Sequence, residues 1–340
     1  MLPSLHIKGF RCFRELTIER LGRVNLIVGK NNVGKSTLLD ALRVHAAHED
    51  ALFELQEMLD RRGEILRTRK ESESPRRFID WLRVFHDADV KNGNPAIEIG
   101  PCDRGEATLS VKFDGDFRSN GAALQSWMGE ERTNSIYRDR VLQDRPPSAR
   151  ALPCQHIPAT GLSSAEASRL WDGIVLTEHE DTCLQALRII EPDIDRVALM
   201  DVPGADGSWA RAPHVARKSR RQPEPLRSLG EGMNRLFDIM LGMTNARGGR
   251  LLIDEIENGL HYSIHEALWR HVFAAASMLD VQVFATTHSW GCIDAFQAAA
   301  RAHPDEGMLI RLDRREDESI AYLFDEDELA VVSEQAIEVR

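Results

Sequence analysis

The stretch GKNNVGKST, Gly29 to Thr37, constrains the fold of this chain more than any other. It follows the apolar run Val24 to Val28 and precedes STLLDALRVHAA, whose apolar residues recur at helical spacing, so a glycine-rich loop joins a buried strand to a helix start. Backbone N–H groups of such a loop converge on one point, and the first-turn amides of the helix have no intrahelical acceptor, so phosphate oxygens suit them. In G-x-x-x-x-G-K-[ST], Lys35 brings a point charge to the β- and γ-phosphates, Ser36 offers its hydroxyl to Mg²⁺, and Thr37 donates to a phosphate. Gly29, Asn31, Asn32, Gly34, Lys35, Ser36 and Thr37 are therefore expected to bind the phosphates of a nucleotide.

Two carboxylates end a second short apolar run, RLLIDEIE. There Asp254 can hold Mg²⁺, usually through water, and Glu255 can orient or deprotonate an attacking water. Adjacent carboxylates tolerate one another when the cation's charge lies between them. The next apolar run, VFATTHSW, ends on His288, placed to reach a γ-phosphate, while Thr286 and Thr287 support the site. The Gly-Glu-Gly of SLGEGMNRL, 228 to 236, reads by itself as a tight helix start.

Along the chain, LHIKGFRCFRELTIERLGRVNLIVG alternates apolar and polar residues and breaks at Gly9 and Gly22, which predicts two antiparallel strands feeding a buried third. ALFELQEMLDRR and RRFIDWLRVFHDA are both expected to be helical, with the charged RTRKESESPRR as a solvated loop between them. Residues 96 to 150 read as a β-meander giving way to an Arg- and Pro-rich segment that ends DRPPSAR. SSAEASRLWDGI and TEHEDTCLQALRII each carry Glu three residues after a Ser or Thr, the capping-box pattern of two helices, and a hairpin region fills 192 to 226. From Gly230 helices alternate with the strands RLLIDE, VQVFATTHS and GMLIRL.

This order predicts an α/β fold: a P-loop NTPase with a mostly parallel, doubly wound sheet, an N-terminal antiparallel β-subdomain and a helical insertion. A single domain over 1–340 is expected. Its parts are strands and phosphate loop at 1–48, a helical and β insertion at 49–150, a helical and hairpin lobe at 151–227, and the lobe of Asp254 and His288 at 228–340.

A formal net charge of −11 argues against a nucleic-acid coat, yet residues 211 to 227 hold six Arg and Lys against one Glu. That strip, through Arg217, Lys218, Arg220 and Arg221, could contact DNA phosphates; a solvated basic hairpin is the alternative. The D-x-D of Asp325 and Asp327 reads as acidic, helix-capping surface. Cys12, Cys102, Cys154, Cys183 and Cys292 show no C-x-x-C spacing, so neither a zinc site nor a disulfide framework is expected. No apolar run approaches the roughly 18 residues of a membrane span and no signal-peptide design opens the chain, so a cytoplasmic location without a membrane partner is expected.

Phosphate loop, SLGEG, acidic strand and strand-terminal His, in that order, resemble the ABC-class ATPases, particularly the SMC/RecF-like branch and the ATPase domains of OLD-family nucleases. GFRCF and GKNNVGKSTLLDAL look like that branch too, and LLIDEIENGLHYSIHEALW and QVFATTHSWGCI are similar to its stand-alone AAA-type ATPases. The resemblance implies an ABC-type head that binds ATP with Mg²⁺ and forms head-to-tail dimers. Ser228, Gly230 and Glu231 stand at the family's signature loop, and in such a dimer Ser228 with the helix N-terminus at Gly230 caps the γ-phosphate of the ATP held by Lys35 of the other copy. Leu229 stands where that loop usually has glycine. Asn258 to His261, NGLH, match the D-loop that crosses the dimer interface. Arg11 resembles an arginine that reaches the nucleotide, and Gln155 is the candidate for the family's Q-loop glutamine at the metal. About fifty residues follow His288, fewer than the ~100 of the TOPRIM nuclease domain of OLD proteins, so no nuclease domain is expected.

The function these features imply is a Mg²⁺-dependent ATPase whose ATP-sandwiched dimer serves as a nucleotide-gated switch or assembly platform. The work would fall to a separate effector protein, in an anti-phage or toxin-like system by resemblance alone. The alternatives are a RecF- or SMC-like DNA repair clamp gated by ATP, and a nucleotide-bound scaffold with negligible turnover.

Overall fold

Val24–Val28 are buried at every position, which a strand achieves when both faces of its sheet are covered. In the computed structural model of the chain this run lies inside the main sheet. The structure describes residues 1–68, 76–86, 95–103, 107–114, 123–137, 148–203, 209–316 and 318–325.

In chain order, β1 (Leu5–Phe10), β2 (Phe13–Ile18) and β3 (Val24–Val28) lead to α1 (Lys35–Ala46) and α2 (Ala51–Arg61). The hairpin β4 (Ile65–Thr68) and β5 (Arg76–Ile79) follows, and then β6 (Ala96–Gly100), β7 (Leu109–Asp114), β8 (Ala123–Met128) and β9 (Glu131–Tyr137). Next come β10 (Cys154–Ile157), α3 (Ser164–Asp172), α4 (His179–Leu187), the long hairpin β11 (Ile194–Pro203) and β12 (Trp209–Arg217), and the short β13 (Glu224–Pro225). After α5 (Glu231–Asn245) the chain alternates β14 (Arg250–Ile253), α6 (His265–Met278), β15 (Gln282–Thr286) and α7 (Trp290–Ala300), and ends its described part with β16 (Gly307–Arg315) and β17 (Glu318–Phe324).

The main sheet runs β10-β14-β15-β3-β16-β17, parallel throughout except for the antiparallel pair β16 and β17. Its register pairs Ile253 with Ala285, and Thr286 with Ile27, so β14, β15 and β3 end at one edge. Side chains alternate across the sheet with period two. Val24, Leu26 and Val28 join a core with α5, α6 and α7, while Ile27 joins a second core with α1, α2, Phe10 and Phe13.

The N-terminal strands and the meander of 96–137 form a single antiparallel sheet, β2-β1-β6-β7-β8-β9, in which His6 pairs with Gly100. The helix expected over RRFIDWLRVFHDA is instead β5 followed by a 3₁₀ turn at Trp81–Val84. Here tertiary partners override the helical spacing. Trp81, Val84 and Phe85 are buried in the second core, and backbone groups bond to the β1 turn, through Arg11 N–H to Val84 O and His86 N–H to Gly9 O, both at 2.9 Å. The capping box expected at α3 forms on Ser163 and Glu166. At α4 the box does not form; Thr177 Oγ1 accepts from His179 N–H at 3.2 Å instead.

The expected loop in RTRKESESPRR lies largely outside the described residues, as do most of the segment ending DRPPSAR and Asp327 of the D-x-D. Asp325 is described and pairs with Arg20 at 3.0 Å. All five cysteines are free thiols. Among the described residues no helix is long and apolar enough to cross a membrane.

Candidate functional site

The loop after β3 closes on Gly34 at φ 107°, in the left-handed region that strains any residue with a side chain. A Cβ there would also sit 2.6 Å from the Phe13 ring and 2.9 Å from Cys12 Sγ, so the β1–β2 turn presses directly on the loop. Gly34 is the N-cap of α1, and no side chain caps its first turn. The amides there remain available to an anion. Lys35 is buried, and its Nζ donates to Gly29 O at 2.7 Å and Lys30 O at 2.9 Å. Burial lowers its pKa below the ordinary value, opposed by the charges of Asp254, Glu255 and Glu257.

Asp254 follows β14 directly and is held from two sides. Ser36 Oγ donates to its Oδ2 at 3.3 Å, and Thr286 Oγ1 donates to its Oδ1 at 2.6 Å. The same Thr286 hydroxyl accepts from Glu255 N–H at 2.8 Å, so one buried side chain positions both acids. Glu255 adopts φ 51°, a left-handed value that a non-glycine residue keeps only where its surroundings hold it. Just past β15, His288 N–H donates to Glu257 Oε1 at 2.9 Å. The fold thus gathers Lys35, Ser36, Asp254, Glu255 and His288 at the end of three neighbouring parallel strands.

The Ser36 hydroxyl and the Asp254 carboxylate are hard oxygen donors, and Mg²⁺ takes one or two such protein oxygens and completes its shell with phosphate and water. The pair fits that ion. Among the described residues no group of three or more His, Cys, Asp or Glu is placed to hold a metal by itself.

Gln155 does not belong to this edge, which corrects its assignment as a metal ligand. It pairs with Leu251, Leu251 with Val283, and Val283 with Val24, the first residue of β3. The phosphate loop begins beyond Val28, roughly 13 Å further along at ~3.3 Å per residue. The parallel register carries β10 on to Ile157, so the segment reaching the edge is 158–162, PATGL, which contains no glutamine. Arg11 lies in the turn that touches the loop, but its guanidinium makes a two-point ion pair with Glu64 at 2.7 and 3.2 Å.

Ser228 is exposed in a 3₁₀ turn, Leu226–Leu229, and Gly230, at φ 106°, begins α5 with open space around the position of a Cβ. The side chain of Leu229 packs against the main core, so the departure from glycine leaves the outer surface of the loop clear. Among the described residues no hydrogen bond joins Ser228, Gly230 or Glu231 to the phosphate loop. Glu231 and Gly232 abut the 258–259 turn instead: a Cβ on Gly259 would lie 3.4 Å from Glu231 Cβ, and one on Gly232 would lie 3.0 Å from Gly259 O.

Sequence reasoning missed Arg235. It lies on the buried face of α5 beside Met233, Leu236 and Phe237, is 4% exposed, and donates through Nη1 to Pro158 O at 2.6 Å and through Nη2 to Asp254 O at 2.6 Å and Glu255 O at 2.9 Å. A charged residue inside an apolar helical stripe was the signal available. Burial lowers its pKa, opposed by Asp238, Glu257, Asp254 and Glu255. One turn on, Asp238 Oδ2 accepts from Leu162 N–H at 2.9 Å, and Asn258 Nδ2 donates to Ala159 O at 2.8 Å. The loop 158–162 is therefore gripped at three points.

Burial raises the Asp238 carboxyl from 3.8 to about 6. The native state therefore holds an extra proton between those values, stability falls as pH rises through that window, and the cost is fully present above it. Asp238→Asn keeps an acceptor for Leu162 N–H and removes the charge. Its melting temperature should exceed that of the wild type at pH 7.5, where the two-unit shift is worth about 3 kcal/mol, with the gap closing near pH 4. Parallel melts showing a pH-independent gap would refute this account.

Three of the six basic residues of the strip are paired within the chain. Arg217 is 16% exposed in its side chain and lies 3.3 to 3.5 Å from Glu191, Asp193 and Glu224. Arg220 pairs with Glu224 and Arg211 with Asp172, both at 2.8 Å. Lys218, Arg221 and Arg227 are exposed.

Residues 4–51 match a family model described as an AAA domain. Residues 201–294 match a second, described as an AAA domain and candidate AbiEii toxin of a type IV TA system. An uncharacterized Methanocaldococcus jannaschii protein, MJECL10, is 55% identical over 42 residues, 12% of this chain and 19% of that protein. The chain thus spans about a fifth of that relative. A Helicobacter pylori protein named ATP/GTP phosphatase is 21% identical over 339 residues, covering 88% of this chain and 89% of that one. Among solved structures, an SMC head bound to the C-winged helix domain of ScpA superposes with a TM-score of 0.55 at 12% identity, covering 95% of this chain and 97% of that one. The Pyrococcus furiosus SMC head with an extended coiled coil, bound to the C-terminal domain of ScpA, gives 0.54 at 12% identity, covering 99% of each chain. The fold is that of a P-loop NTPase with an ABC-type head.

Proposed function

We propose that the chain is a Mg²⁺-dependent ATP hydrolase that works as a head-to-tail dimer and switches a separate effector protein. The observation that carries this reading is the linked set Ser36, Asp254, Thr286 and Glu255 beside Lys35 at the end of β3. Loop amides and Lys35 bind the β- and γ-phosphates, with Asn31, Asn32 and Thr37 along the same loop. Ser36 and Asp254 would hold Mg²⁺, which offsets phosphate charge when bound. Glu255 orients a water and takes its proton as the water oxygen bonds to Pγ and the bond from Pγ to the bridging oxygen breaks, leaving ADP and inorganic phosphate. His288, fixed through its backbone by Glu257, contacts the γ-phosphate.

Ser228, Gly230 and Glu231 are exposed at the start of α5, and a helix N-terminus favours an anion by about 0.3–1 kcal/mol. In this reading the anion is the γ-phosphate held by a second copy, and Asn258 to His261 cross the same interface. The H. pylori relative named for ATP/GTP phosphatase activity supports hydrolysis. The toxin-linked family description and the ScpA-bound SMC heads support a switch acting on another protein; a setting in anti-phage defence, related to the OLD ATPases, rests on the sequence resemblance alone. A DNA clamp is not adopted, because internal pairing engages Arg211, Arg217 and Arg220, half of the basic residues of the strip that would carry it.

Ser228→Arg tests the composite site. It leaves the phosphate loop intact, so ATP binding should persist, while the ATP-dependent dimer is lost and turnover falls by roughly 100-fold. Dimer and turnover both surviving on a sizing column and in a phosphate-release assay would sink the head-to-tail reading.

A further inference from the structure

We infer that Arg235 is a positioning residue that couples the two ATP sites of a dimer; this rests on the head-to-tail reading above. The start of α5 and Arg235 lie little more than a turn apart on one helix. The exposed end, at Gly230, faces outward, while Arg235 is buried and holds the carbonyls of Asp254 and Glu255 of its own chain. One rigid element thus carries the group that meets the partner's nucleotide and the group that sets the local acid.

The hold falls where it matters. Glu255 keeps its left-handed backbone through three contacts, Thr286 on its N–H, and Arg235 with Asn258 N–H on its C=O. A tilt of α5 on meeting a phosphate is therefore delivered to the Glu255 peptide through short, charge-assisted hydrogen bonds. The same guanidinium moves Pro158, while Asp238 of α5 holds Leu162, so the loop 158–162 travels with the helix. A cavity of about 720 Å³ beside Arg235, walled by Thr160, Arg227, Asn234, Asp238 and Asn258, gives this unit room to shift without opening the packed core. Arg235 Nε is buried and, among the described residues, has no hydrogen-bond partner. The guanidinium spans the three carbonyls from two nitrogens held in one plane, Nη1 and Nη2; a lysine ammonium keeps the charge but has all its donors on one nitrogen.

The test uses the full chain with Arg235→Lys, and Arg235→Gln as the harsher variant. Binding of a fluorescent ATP analogue should stay within threefold of wild type, and Arg235→Lys combined with Glu255→Gln should still dimerise with ATP and Mg²⁺. The kcat of Arg235→Lys should fall about 100-fold with KM within threefold. Mixing wild type with Lys35→Ala protein should silence the wild-type sites in mixed dimers, because their own α5 meets no nucleotide. Arg235→Lys turnover within threefold of wild type, loss of ATP binding together with a collapsed melting temperature, or mixed dimers that keep half activity would each overturn the inference. Failure of the dimer reading shows separately, as Glu255→Gln protein that stays monomeric with ATP before Arg235 is touched.

Discussion

Glu255→Gln protein given ATP and Mg²⁺ is expected to elute as a stable dimer while its turnover drops by roughly 10²–10³-fold. Gln keeps the size and a hydrogen bond to water but cannot accept a proton. The geometry of the site should survive, because Thr286 and Arg235 hold residue 255 by its backbone N–H and C=O rather than by its carboxylate. Removing one negative charge beside the phosphates also favours retention of ATP. A sizing column run with and without nucleotide, alongside phosphate release, checks both halves. An unchanged elution profile would count heavily against a nucleotide shared between two copies, and undiminished turnover would remove Glu255 from the chemistry.

Lys35→Ala should abolish measurable ATP binding, with a loss of at least ~100-fold in affinity, equivalent to about 3 kcal/mol. Lys35 Nζ donates to the carbonyls at the mouth of the loop, and its charge acts on three acids, Asp254, Glu255 and Glu257. Alanine leaves those acids facing the triphosphate without the charge that Lys35 brings to the loop. Titration with a fluorescent ATP analogue reads the result directly. Binding within threefold of wild type would mean that the loop does not hold the phosphates. The two variants separate binding from chemistry: one holds ATP without cleaving it, and the other never holds it.

Most of the element order was legible because it follows from periodicity and turn chemistry inside short windows. The strand, loop and helix of 24–46 follow from residues within one such window, and Asp254, Glu255 and His288 announce themselves as polar residues ending apolar runs. The misread elements share one cause. RRFIDWLRVFHDA has helical spacing, yet its backbone groups bond to the β1 turn, and Gln155, the candidate for a glutamine at the metal, lies inside β10, which parallel register with β14 carries two residues further. Arg217 read as part of a basic surface until the fold brought Glu191, Asp193 and Glu224 around it.

By itself, then, the sequence determined what is chemically local: a loop shaped for phosphate, a hydroxyl and a carboxylate suited to Mg²⁺, and the alternation that forces an α/β sheet. Only the tertiary structure decided which of the scattered charges work together. Arg235 makes its bonds to residues 19, 20 and 77 positions away. Such partners are chosen by strand register and by the need of buried donors and acceptors to find one another, and neither is written in any local window of residues.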